Sequence, residues 1–97
     1  MVVNLDQKFK GFNGEDLGKD PIKLFIAKAL FGGQGVGNSE DDKFNAYKLC
    51  NRLMNENTEA IELDKDERRL ILSAACASLV PGAYGQIVEL LKLEEVK

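Results

Sequence analysis

The chain has no histidine and no tryptophan, and only two prolines and two cysteines among its 97 residues. Each shortage excludes something. Without histidine the sequence lacks the commonest acid–base group near neutral pH and the commonest metal ligand. A carboxylate site would then need Lys, Tyr or Arg partners, and no spacing proposes one. Cys50 and Cys76 match no metal or redox spacing. Both fall inside helical patterns, where a free cysteine is usually a small buried apolar group, so both are expected to be buried and unpaired. No apolar run reaches the ~18 residues of a membrane span, and no secretory leader is recognisable. That sets the expectation of a cytoplasmic protein with no membrane partner. Basic residues are scattered, with only Arg68 and Arg69 adjacent, so the footprint of a nucleic-acid binder is missing.

What is present is the balance of a globular protein. Apolar residues make up 44% and charged residues 30%, which places the chain well clear of the disordered class. A chain of this length buries roughly 60–65% of its unfolded surface, enough for one domain spanning residues 1–97. The net charge of −3 falls in the second half: residues 1–50 carry seven acids and seven lysines, residues 51–97 nine acids and six bases.

The stretch 63–80 organises the rest. It opens polar, and then Leu70, Ile71, Leu72, Ala74, Ala75, Cys76, Ala77 and Leu79 leave no wide polar face on a helical wheel. A helix apolar on every side is a buried one, so this is read as the central helix. Asp64 caps it, and Glu67 completes a box-like Asp-x-x-Glu. Pro81 ends it by disfavouring helical geometry at Val80, then opens a last helix to about Leu93. Ala83, Ile87, Leu90 and Leu91 face the core there, and Gly85 is expected to admit a neighbouring backbone.

Residues 2–19 read as a β-hairpin turning at Asn13-Gly14, a strong type I′ signal, with a weak return arm over 15–19. Asp20 and Pro21 start a helix over 22–31, which stops at Gly32-Gly33. Ile22, Phe25, Ile26, Ala29 and Leu30 form its core stripe. Leu24, Ala27 and Phe31 lie opposite, between Lys23 and Lys28, so a helix this short needs two things to pack against. A clean amphipathic helix follows over 42–54, capped by Ser39 or Asp41, with Ala46, Tyr47, Leu49, Cys50, Leu53 and Met54 inward and Arg52 facing water. Residues 55–58 are a polar turn, and 60–63 a short strand that adds to the N-terminal β element.

Candidate chemistry dissolves on inspection. The glycine-rich segment 32–42 fits neither GxxxxGK[ST] nor GxGxxG and follows a helix rather than a strand, so it is read as a mobile, idle connector. Glu40, Asp41 and Asp42 lack calcium-loop spacing and suit a helix N-terminus. No nucleophile–base pair is visible. The helices 42–54 and 64–79 are joined by about nine residues, too many for a helix-turn-helix.

The last third resembles the C-terminal part of short uncharacterised bacteriophage and prophage proteins. Leu63, Glu67, Pro81, Gly85-Gln86 and Leu90-Leu91 carry the likeness, with Asn13-Gly14 matching the turn of their hairpin-like opening. The glycine-rich loop and the alanine-rich central helix depart from the pattern. The resemblance implies a phage or mobile-element origin and no known activity, so it supplies no site residues.

The expectation is therefore an α+β domain, predominantly helical: a small N-terminal β-hairpin, with a third short strand as an option, on about four helices. Its function is read as a non-enzymatic protein-interaction module of the phage accessory or inhibitor type, without cofactor or metal, engaging a protein partner or itself. The surface expected to bind is Leu24, Ala27 and Phe31 with Lys23 and Lys28. A nucleic-acid-associated regulator is the alternative, and a structural or assembly subunit the next.

Overall fold

The computed structural model describes residues 2–55 and 60–92. The architecture is α+β and mostly helical: β1 (Val2–Asn4), α1 (Ile22–Phe31), α2 (Glu40–Asn55), β2 (Ala60–Glu62), α3 (Lys65–Ser78) and α4 (Pro81–Lys92). The two strands pair antiparallel, Val3 opposite Ile61. Alternation puts Val3, Leu5, Ile61 and Leu63 on the inner face. The third strand anticipated for 60–63 is thus the one that pairs. The Asn13-Gly14 hairpin shrinks to a turn closed by a single bridge between Lys10 and Asp16. Only Gly14 there has positive φ, whereas a type I′ turn needs it at both central residues. Acidic, glycine-interrupted residues 15–19 offer no apolar alternation to extend the pairing.

The N-terminal segment does a second job. The Ile22 and Lys23 amides of α1 donate to the carbonyls of Gln7 and Leu5 at 2.7 and 2.9 Å. Pro21 occupies the cap position with no side-chain cap bond. Asp20 therefore does not cap α1; backbone from a separate segment satisfies its orphan amides. At the other end, Gly33 N–H donates to Leu30 and Gln34 N–H to Ala29, a Schellman closure with Gly33 at φ +79°.

The loop that follows is held in place. Gly35 has φ +71°, and a Cβ there would strike the backbone of Ser73 on α3. Val36 packs on the core beside it. The idle connector expected over 32–42 is anchored at this point, because only glycine combines that φ with so close an approach.

α3 touches α1, α2 and α4, and its capping box forms in full, with Asp64 Oδ1 accepting from Glu67 N–H at 2.7 Å and Glu67 Oε1 from Asp64 N–H at 2.9 Å. It is not buried all round. Leu70, Ile71, Ala74 and Ala75 are inside, while Cys76, Ala77 and Ser78 are exposed. The wheel misleads because its last turn is apolar only through small residues, which carry little area to drive burial. α4 buries Ile87 and Leu91. Gly85 faces open space and admits no backbone. The Gln86 amide instead clasps the N-terminal segment, accepting from Lys10 N–H at 2.7 Å and donating to Lys10 C=O at 2.8 Å. The turn expected at 55–58 and the helix end at Leu93 fall largely outside the described residues.

Candidate interaction surface

The ion pairs between α2 and α3 are used structurally. Arg52 bonds Glu67 and reaches the Glu62 carbonyl at 2.8 Å, so it is half-buried rather than facing water. Asp42 lies 3.6 Å from Arg69, and its N–H is capped by Ser39 Oγ at 3.0 Å. The Cys50 thiol donates to Ala27 C=O at 3.4 Å, and burial raises its pKa from the ordinary value of 9.0. Cys76, expected inside, is exposed. Among the described residues no group of three His, Cys, Asp or Glu is placed to hold a metal, and no helix is long and apolar enough to cross a membrane.

The surface expected on α1 is only partly there. Ala27 is buried, because α2 packs against that side of the helix. Leu24 is half-buried, and Lys23 is half-buried with Asp6 at 3.6 Å. Lys28 and Phe31 are exposed. Phe25, assigned to the core stripe, reaches the surface at 38% exposure, edge-on to buried Phe9 with ring centroids 5.5 Å apart.

Phe31 is not isolated. It lines a cleft of about 350 Å³ with Leu30, Val36, Lys43, Ala46 and Tyr47. Beyond the cleft, Phe44 stacks on Tyr47 at 6.4 Å, and Lys48 Nζ sits 5.0 Å from the Phe44 ring centroid. Phe31, Phe44, Tyr47 and Met54 are 67%, 59%, 52% and 46% exposed. Phe31, Phe44 and Tyr47 lie together, joined by the shared cleft and the ring contact, and Met54 follows two turns beyond Tyr47 on α2. Large apolar side chains grouped this way differ from single surface scatter. Sequence reading placed Tyr47 and Met54 inward because they border the core stripe on the wheel. The missed signal was the spacing of Phe44, Tyr47 and Met54, which form a second stripe of their own.

Another apolar cleft, about 380 Å³, lies between the N-terminal turn, α1 and the start of α4, lined by Phe12, Leu17, Phe25 and Val80 among others. Its one lysine, Lys10, is paired with Asp16, whose carboxyl is held below its ordinary pKa by that hydrogen bond and charge. The α1–α2 surface differs in carrying lysines beside its aromatic rings.

Comparison with known protein families, with curated proteins and with solved structures finds no match to this chain.

Proposed function

We propose that this chain is a non-enzymatic protein-interaction module and that it docks its partner on the α1–α2 surface around Phe31, Phe44 and Tyr47. The supporting observation is that these rings are exposed together next to a cleft, although the domain has a complete core without them. Aromatic anchors beside pockets are where binding energy concentrates in protein interfaces. Lys43 and Lys48 give the surface a basic edge, which suits an acidic partner and steers its approach.

Exposed aromatics with lysines also suit stacking of single-stranded nucleic acid, which keeps a regulator as the second reading. A Phe31→Ser, Tyr47→Ser double variant tests the proposal. Both side chains are exposed, so the melting midpoint should stay within a few degrees of wild type while partner capture is lost. Retention of the same partners, or unfolding of the variant, overturns the assignment. Oligonucleotide binding with a steep negative salt slope establishes the second reading instead.

A further inference from the structure

We infer that the occupant of this surface is an acidic amphipathic helix, taken up along a coiled-coil-type seam on the outer face of α2. The inference rests on the docking reading above and adds the partner's chemistry. Outward positions Glu40, Phe44, Tyr47, Asn51 and Met54 are spaced four, three, four and three residues apart, the alternation of a heptad seam. All five are exposed. The stripe α2 gives to its own core is a different one: Ala46, Leu49, Cys50 and Leu53. The helix therefore carries a second, partly apolar face, which no other described residue covers. From Phe44 to Met54 the outer seam runs for about three turns, or roughly 15 Å, a length that another helix matches and a lone side chain does not.

Two features select the occupant. Lys43 and Lys48 flank the Phe44–Tyr47 pair at the positions that face a partner helix's own flanks. With the Phe44–Met54 spans of two copies aligned, lysine would face lysine in either orientation, whereas a helix with glutamates on its flanks would pair with both; Glu40 and Asp41 lie one turn before that span. Asn51 sits at a seam position where a buried asparagine fixes register against a polar counterpart. Phe31 and the cleft beside it extend the seam sideways and offer a seat for one large apolar residue.

The probe is a three-heptad synthetic helix with leucines and one asparagine at the seam positions and glutamate on both flanks. Its counterpart carries lysine on both flanks. Titration of each labelled peptide by fluorescence anisotropy should show the glutamate peptide binding at least about tenfold more tightly. A Lys43→Glu, Lys48→Glu variant, altered only at exposed positions, should keep its melting midpoint and reverse that preference. Failure of the glutamate peptide to bind, or indifference to the charge swap, overturns the inference. So does sedimentation as a dimer that Tyr47→Ser dissolves, which makes the occupant a second copy, and so does tighter binding of oligothymidylate than of either peptide. The docking reading fails separately, when the Phe31→Ser, Tyr47→Ser variant retains its captured partners.

Discussion

At the scale of single residues, the two cysteines separate cleanly. Cys76 is exposed on the last turn of α3, and Cys50 is buried with its thiol directed at the Ala27 carbonyl. A thiol reagent should label Cys76 within minutes in native buffer and Cys50 only on unfolding, read by intact mass. Burial also raises the Cys50 pKa. Above the ordinary thiol value the unfolded chain releases a proton that the folded chain retains, so this group's contribution to stability declines as pH rises past about 9. The denaturation midpoint should therefore fall less steeply between pH 8 and pH 10 in Cys50→Ala than in wild type. Two glycines give opposite expectations. Gly85 meets nothing, and Ala there should stabilise by about 0.5–1 kcal/mol through helix propensity alone. Gly35→Ala combines a left-handed backbone with a collision against the Ser73 backbone, and should cost more than the about 1–3 kcal/mol of the backbone strain alone. Both are checked by urea titration.

At the scale of elements, the bounds of α1, the strand at 60–62 and the capping box of α3 were legible in the sequence, because proline, paired glycines and Asp-x-x-Glu are local signals that act within one turn. Burial around each helix was not. Ala77 and Leu70 look alike on a wheel, but only the larger repays the ordering of a neighbour. Phe25 and Ala27 exchanged the roles assigned to them, because a ten-residue helix packed on two sides presents edges that periodicity alone cannot assign. Of the exposed rings around the α1–α2 cleft, Phe31 was legible in the sequence, whereas Phe44 and Tyr47 were not, because α2 carries two stripes. In α3, Ala75 remains a packed position at 2% exposure. Ala75→Leu should lower stability by about 1–3 kcal/mol from overpacking, seen as a lowered melting midpoint.

At the scale of the whole molecule, the N-terminal segment ties distant parts together. Residues 2–7 pair with β2, donate Val3 and Leu5 to the core and cap α1 through two carbonyls, while Gln86 clasps Lys10 further along. None of these partners is near in sequence, which is why local reading gave the segment to a hairpin. Removing residues 2–7 should therefore abolish the cooperative thermal transition rather than merely fray one end; a retained sharp melt by circular dichroism would contradict the arrangement.

That pairing also has a consequence in time. Val2–Asn4 leaves the ribosome well before Ala60–Glu62 exists. At about 5–20 residues per second, the strand waits several seconds with Val3 and Leu5 bare and its backbone unpaired. For that interval it is an open edge to any other chain, so slow translation and crowded expression should favour aggregation during synthesis, even when the finished protein is stable.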